Sequence, residues 1–327
     1  MKSTKMFSAA LALCLAILLN GCGDNKPAPG STGDAGGKKY KLAFIINNSS
    51  DFWTPAQAGL KKFTAETGVP VDFKIPASGK TEEQNAIIED LVSQGYDGIA
   101  VSVNKPKDQI LVLDKAAEKM FVICHDSDAP ASKRLAYIGT DNIQGGRLLG
   151  EQLKKIQPEG GKVAVFVGDF SADNASQRLK GIEEALKGSK FEILIKKEDS
   201  TDKAKARSNV EDVLNANPEI NVLLGLWSYN LPAIDGAVKG LNKTGKVTVA
   251  GFDPEEATLQ GLESGSIKFT IVQKPFEFGY RSAHLLYDLC VKGKSALPAN
   301  PIIDTGVDVI DAANVKAFRA KEAEMRK

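Results

Sequence analysis

Six stretches of this chain crowd Asn, Asp, Ser and aromatic residues directly behind short apolar runs. They are "NNSSDFW" (47–53), "SVNKP" (102–106), "HDSDAP" (125–130), "GDFSADNASQR" (168–178), "WSYNLP" (227–232) and "FDPEE" (252–256). Carboxylates, primary amides and a guanidinium present donors and acceptors in planar pairs, which suits adjacent hydroxyl groups. Flat aromatic rings cover the C–H face of a saturated ring. The combined chemistry is that of a site for a neutral polyol. Phe52 and Trp53 are neighbours, and successive side chains of a strand face opposite ways. The pair is therefore expected beyond the strand, where one ring can wall a cleft while the other packs behind it.

Other chemistries are poorly supplied. The chain has two histidines, His125 and His284, far apart and without Cys or carboxylate at metal-ligand spacing. No metal, cofactor or catalytic residue is expected. "GLNKTGKV" (240–247) matches part of a phosphate-binding loop but lacks the following Ser or Thr. It also lies after a helix and before a strand, the reverse of the required order, and reads as a turn. No G-x-G-x-x-G follows a strand and no G-x-S-x-G occurs, so neither a dinucleotide site nor a hydrolase elbow is indicated. Single residues also have plainer readings. Asp253 before Pro254 could cap a helix, and Arg178 could pair with Glu183 or Glu184 on a helix surface.

The elements that would position these groups alternate. Ten apolar runs, from "KLAFII" to "FTIVQ", are interleaved with amphipathic segments such as "TPAQAGLKKFTAETG", "EEQNAIIEDLVSQG" and "NASQRLKGIEEALKG". Leu60, Phe63 and Thr64 share a helix face, and Gly68 stands where that helix should stop. Such alternation predicts βαβ units and parallel sheets. Ten strands exceed one simple sheet. "YIGTDNIQGG" offers a break, with Asp141 and Asn142 starting a helix, and the chain reads as two similar α/β lobes joined near 139–142. In sheets of this kind ligands sit beyond the carboxyl ends of the strands, which is where the six polar stretches fall.

The 327 residues are 43% hydrophobic and carry a net charge of +1, giving no electrostatic footprint for nucleic acid. Residues 1–21 read as a secretory signal peptide: Lys2 and Lys5 precede an apolar run at 7–19 that is short for a membrane span. Its end, "LNGC", resembles a bacterial lipoprotein cleavage box, which would make Cys22 the lipidated N-terminus. Residues 22–39 read as a flexible Gly/Ser-type tether. Cys124 and Cys290 allow one disulfide, but two singly packed thiols are the expectation.

In order along 40–306, "NNSSDFW", "VICHDSDAP", "YIGTDNIQGG", "NASQRLKG", "WSYNLPA", "VAGFD" and "IVQKP" resemble the type I periplasmic sugar-binding proteins of ABC importers, the ribose- and glucose-binding group. "FWTPAQAG" and "GLWSYNLPA" are most similar to a glucose-binding branch. The resemblance implies two Rossmann-like lobes joined by a three-segment hinge, with residues 40–141 and 274–303 in the first lobe and 142–273 and 304–327 in the second. It implies a monosaccharide ligand, an ABC permease with its ATPase as partner, a monomer, and an extracytoplasmic location on a membrane through the lipid anchor. By position, Phe52 or Trp53 would stack on the sugar, with Asn47, Ser102 and Asp126 at its hydroxyls. Asn174, Arg178, Asn230, Asp253 and Gln273 would complete the polar shell, and Trp227 or Phe252 the other wall. Ribose binders carry Arg where this chain has Ser127 and Ser176, which favours a larger or differently oriented sugar. A sugar-responsive sensor or regulator of the same fold is the alternative; an export signal without a helix-turn-helix speaks against a repressor.

Overall fold

The computed structural model describes residues 39–325; the signal peptide, Cys22 and nearly all of the tether lie outside them. The first half runs β1 (Leu42–Ile45), a 3-10 turn (Asp51–Trp53), α1 (Thr54–Thr67), β2 (Val71–Lys74), α2 (Thr81–Ser93), β3 (Gly98–Val101), α3 (Pro106–Ala117), β4 (Phe121–His125) and β5 (Tyr137–Gly139). The second continues with α4 (Asn142–Ile156), β6 (Gly161–Val167), α5 (Asp173–Leu186), β7 (Phe191–Glu198), α6 (Lys203–Ala216), β8 (Ile220–Gly225), α7 (Asn230–Gly240), β9 (Thr248–Phe252), α8 (Glu256–Ser264) and β10 (Phe269–Val272). The chain closes with α9 (Pro275–Lys292), β11 (Ile302–Asp304), β12 (Asp308–Asp311) and α10 (Val315–Met325).

These strands form two six-stranded sheets, ordered β11-β5-β4-β3-β1-β2 and β12-β10-β9-β8-β6-β7. Every pairing is parallel except β12 against β10. Apart from the late edge strands, both sheets follow the same 2-1-3-4-5 order, so each has a topological switch point: β1/β3 in the first, β6/β8 in the second. Parallel strands must be covered on both faces, and they are. In the first lobe Phe63, Phe278 and Leu286 fill one face and Ile88, Leu91 and Leu113 the other. In the second, Leu149, Leu153 and Ile182 lie on one side and Val210, Leu231 and Leu262 on the other. The ten apolar runs are all strands, and both lobes are α/β with mostly parallel sheets.

Local signals account for the helix ends near the cleft. Asp141 caps α4 by accepting from the Gln144 N–H at 2.9 Å. Gly68 ends α1 with φ of 73°. Asp253 is not a helix cap; α8 begins three residues later, with Glu255 at its N-cap. Residues 240–247 form the turn between α7 and β9. Cys124 is buried and Cys290 half-buried, and the two are not joined to each other by a disulfide.

The chain passes between the sheets at residues 140–141, 273–274 and 305–307, and these segments are tied together. The Asp304 carboxylate accepts from the Asp141 and Gly306 N–H groups, each at 2.9 Å. The Thr305 N–H donates to Gly139 O at 2.7 Å. β11 reaches Asp304, one residue beyond the 303/304 boundary expected above.

Candidate functional site

The two switch points face each other across a cleft. From the first lobe, Asn47 and the 3-10 turn carrying Phe52 and Trp53 follow β1, and Asp126 follows β4. From the second, Asn174 and Arg178 project from α5, Trp227 follows β8 and Asp253 follows β9. Gln273 lines the cleft from the second crossing.

Asp126 and Asp253 are each other's counterpart. Each directly follows the fourth strand of its lobe, and each has left-handed backbone, φ 56° and 69°, a conformation Asp tolerates better than most non-glycine residues. Each backbone N–H still reaches the fifth strand, at Ile138 O (3.2 Å) and Ile271 O (2.9 Å). The turn thus ends the strand without losing a ladder bond and swings the carboxylate over its end. Asp126 Oδ2 accepts from Ser102 Oγ at 2.7 Å and Asn47 Nδ2 at 3.4 Å. Asp253 accepts from Gln273 N at 3.2 Å and Gln273 Nε2 at 2.9 Å.

Arg178 stands between them with 1% of its surface exposed. Its Nε donates to Asn142 Oδ1 at 2.9 Å and Nη1 to Leu226 O at 2.6 Å. The guanidinium lies 4.3 Å from the Phe252 ring centroid and 3.9 Å from the Asp253 carboxylate. Its Nη2 is buried without a partner. A glycine crossing brings it there: a Cβ on Gly146 would fall 2.1 Å from Arg178 O, so only glycine lets α4 and α5 approach closely enough for Asn142 to reach Arg178. The surface pairing with Glu183 or Glu184 does not form; those acids pair with Lys196 and Arg147.

Burial governs the charges. It pushes the Asp253 carboxyl up to about 6, although Arg178 and the Gln273 donors pull it down. It also raises Asp126, against the opposing pull of Arg178, Ser102 and Asn174. His125 is pushed down to about 3 by burial, so it is neutral. Its Nε2–H donates to Ile45 O (3.1 Å), and the ring stacks on Phe44 with centroids 3.8 Å apart. Its role is to pack: the Trp53 ring stands edge-on to it at 5.4 Å. The other histidine, His284, sits on the far surface beside Glu66.

The aromatic question resolves through the turn. Phe52 and Trp53 occupy a 3-10 turn rather than a strand, so both can line the cleft. Trp53 is the more rigid, 2% exposed and wedged on Phe44 and His125, with its Nε1–H unpartnered. Phe52 is half-buried with its ring edge-to-face on Trp53 at 4.8 Å. Opposite them, Trp227 donates from Nε1 to Asn174 Oδ1 at 3.1 Å. Phe252 is fully buried beneath Arg178 and does not line the cleft.

Two of the expected residues stand behind the lining. Ser102 is buried beneath Asp126, and Asn230 is turned away, accepting from Trp227 N at 2.9 Å and donating to Asp199 at 3.1 Å. Asn48, Ser50, Ser228 and Tyr229 line the cleft without having been singled out in the sequence. All four lie inside the polar stretches, so the signal was there, but residue type alone does not say which members face inward. Ser127 is buried and Ser176 is exposed, bonded to Asp173 O. The cavity is small, about 30 Å3, room for about two water molecules. The lobes must part to admit anything of sugar size. A wider groove of about 470 Å3 adjoins it and shares Phe52, Ser228 and Gln273. Among the described residues no three His, Cys, Asp or Glu side chains gather to hold a metal ion, and no helix is long and apolar enough to cross a membrane.

Comparison with known proteins places this geometry. Residues 42–295 match the periplasmic binding protein domain family. The chain belongs to that family. Among its periplasmic binding protein relatives, the D-allose-binding periplasmic protein of Escherichia coli is 27% identical over 257 residues, 75% of this chain and 83% of the relative. The ribose import binding protein RbsB of Bacillus subtilis is 24% identical, covering 83% of this chain and 88% of that protein. A crystal structure of an ABC transporter solute-binding protein from Burkholderia graminis in complex with D-arabinose superposes with a TM-score of 0.81 at 30% identity, covering 86% of this chain and 98% of the other. A chain of the XylFII-LytSN complex gives 0.78 at 28% identity, covering 85% and 99%.

Proposed function

We propose that this periplasmic binding protein captures a monosaccharide between its lobes outside the cytoplasm and delivers it to an ABC importer. The observation that carries the reading is the matched pair of buried carboxylates, Asp126 and Asp253, one per lobe, with Arg178 between them and aromatic rings on both sides. Each carboxylate reads a pair of hydroxyls, Asn47, Asn174 and Gln273 read the others, and the Arg178 Nη2 and Trp53 Nε1 groups donate to ring or hydroxyl oxygens. Trp53 or Phe52 and Trp227 cover the faces of the sugar ring. A hexose or pentose of glucose-like shape fits this set. A ligand that touches both lobes favours the closed form, and closure follows as a population shift about the three crossing segments. The two lobes divide as their sheets do, and the permease recognises the closed form.

The relatives named for allose and ribose, and the similar structure in complex with D-arabinose, support this sugar class. The sugar leaves chemically unchanged, a reading supported by relatives named as sugar-binding and import proteins. Lipidation of Cys22 and the tether of residues 22–39 hold the monomer at the membrane. A second reading, in which the closed form is presented to a sensor protein, is favoured by one observation: a similar structure is that of a chain in the XylFII-LytSN complex. A thermal-shift panel of hexoses and pentoses tests the main reading. A sugar at a hundred times its dissociation constant should stabilise the protein by about 2.7 kcal/mol. If no monosaccharide raises the melting temperature, the reading fails.

A further inference from the structure

Asp199, at the exit of β7, is buried to 1% exposure yet lines neither the cleft nor any ion pair found among the described residues. Its Oδ1 accepts from Tyr229 Oη at 2.5 Å and Thr201 N at 2.9 Å, and its Oδ2 from Asn230 Nδ2 at 3.1 Å. The backbone that holds it is unusual. Ser200 and Thr201 both have left-handed conformations, φ 58° and 65°, and for the β-branched Thr that is an outlier. The N–H groups of Asp199 and Ser200 nevertheless bond Val167 O and Gly168 O. The turn keeps the carboxylate under the end of β6, against the loop that carries Trp227.

An ionised carboxylate only accepts hydrogen bonds. Asn230 must therefore turn its NH2 toward Asp199, which leaves its Oδ1 facing the Trp227 N–H, and that bond is made at 2.9 Å. Tyr229 must donate to Asp199, which fixes its ring 6.3 Å from the Trp227 ring at 64°. Gly168 lies beneath: a Cβ there would fall 2.1 Å from Trp227 Cζ3 and 2.8 Å from Tyr229 Oη. Asn174 holds the far end of the indole. Among these groups, Asp199 is the one that bonds both Tyr229 and Asn230.

We propose that Asp199 is a positioning residue for the second-lobe aromatic wall: by accepting from Tyr229 and Asn230 it sets the orientation of the Asn230 amide and, through it, the plane of Trp227 against the bound ligand. An uncharged amide at this place would let the Asn230 amide flip, and the Trp227 N–H would then face another donor. This role rests on the monosaccharide reading only in its last step; the orientation of Trp227 does not.

The sequence holds two tryptophans, so in a Trp53→Phe background the tryptophan emission belongs to Trp227. Acrylamide quenching and emission maximum of Trp227 are measured there for Asp199, Asp199→Asn, Tyr229→Phe, and the exchange pair Asp199→Asn with Asn230→Asp. With native Trp53 restored, the affinity of a sugar that stabilises the parent is measured by calorimetry. Asp199→Asn should red-shift Trp227 and make it more readily quenched, and should weaken the sugar about tenfold. Tyr229→Phe, which deletes one hydroxyl, should do the same to a smaller degree. The exchange pair restores a donor opposite an acceptor and should return both readouts toward the parent. If Asp199→Asn and Tyr229→Phe lower the melting temperature but leave quenching and affinity at parental values, Asp199 is merely structural and the proposal is overturned. A folded exchange pair that behaves like Asp199→Asn overturns it equally. Should Asp199→Asn fail to fold, Tyr229→Phe alone decides. If no sugar binds the parent, the monosaccharide reading fails while the quenching comparison still tests the positioning.

Discussion

Replacing Arg178 by Ala should cost far more than the loss of one surface charge. The side chain is 1% exposed and lies 3.9 Å from the Asp253 carboxylate, itself 2% exposed. Removing one member of a buried ion pair typically destabilises by about 3–5 kcal/mol. Asn142 Oδ1 and Leu226 O also lose their donor, at about 1–3 kcal/mol for each acceptor left unsatisfied. These costs overlap, because the cavity can admit water. A total near 4 kcal/mol corresponds to a fall in Tm on the order of 10 °C for a chain of this size. The effect should depend on pH with a definite sign. Burial raises the Asp253 carboxyl from 3.8 to about 6, and Arg178 opposes the rise. A carboxyl raised on folding gives its full stabilisation below its unfolded pKa and loses it as pH rises through the folded value. Without Arg178 the folded value climbs above 6. At pH 4 both forms keep the proton and the variant should lose only the neutral contacts. Above pH 6 the difference should widen. Scanning calorimetry of parent and variant at pH 4 and pH 8 reads this directly. An equal loss of Tm at the two pH values would refute the charge argument, and no loss at either would refute the whole account. Arg178→Lys should not rescue, since one ammonium cannot serve Asn142 and Leu226 while lying flat on Phe252.

Four further outcomes are expected. Trp53→Ala should weaken all accepted sugars together, whereas Asp126→Ala should change the ranking among epimers, because a hydrogen-bonded pair reads hydroxyl orientation and a flat wall does not; calorimetry with glucose, galactose, xylose and ribose separates the two. In the parent, Asp173, Asp199 and Asp253 are each pushed up to about 6, chiefly by burial, so urea midpoints should fall as pH rises from 5 to 7.5. Asp304→Ala should cost only about 1 kcal/mol of hydrogen bonding at an exposed site, with a small fall in Tm, but should enlarge the radius of gyration by loosening the ties between crossing segments. Cys22→Ser should move the protein from the membrane to the soluble fraction, and unchanged membrane association would remove the lipid anchor.

Much of the architecture was legible because the apolar runs are short, largely buried in all but the edge strands β2 and β7, and separated by helices with clear starts and stops. The helix cap at Asp141 and the turn at 240–247 could be read from local chemistry alone. β11 and β12 could not. They are three and four residues long, partly exposed, and each is a strand only because a distant edge, β5 or β10, offers it a ladder. The polar stretches pointed to the cleft, but not to the rank of each residue within it. Asn230 belongs to the right stretch and works from behind Trp227. Asp199 sits at the exit of β7, in "EDSTD", a stretch that looks like an ordinary helix cap because Asp202 is one. What hides Asp199 is that its partners, Tyr229 and Asn230, are thirty and thirty-one residues away.

The late edge strands have a consequence for how this chain is made. Synthesis proceeds from the N-terminus, and at residue 273 ten strands have been produced, yet neither lobe is whole. The first still lacks α9, whose Phe278, Leu286 and Leu289 fill its core, and it lacks β11. The second lacks β12, which carries the core residue Ile310, and Val315 at the start of α10. A ribosome must deliver most of the polypeptide before Phe278, Leu286 and Leu289 can complete one face of the first core and Ile310 and Val315 one face of the second. The same arrangement makes truncation unforgiving: a stop codon anywhere between residues 275 and 303 should yield two damaged lobes rather than one good one.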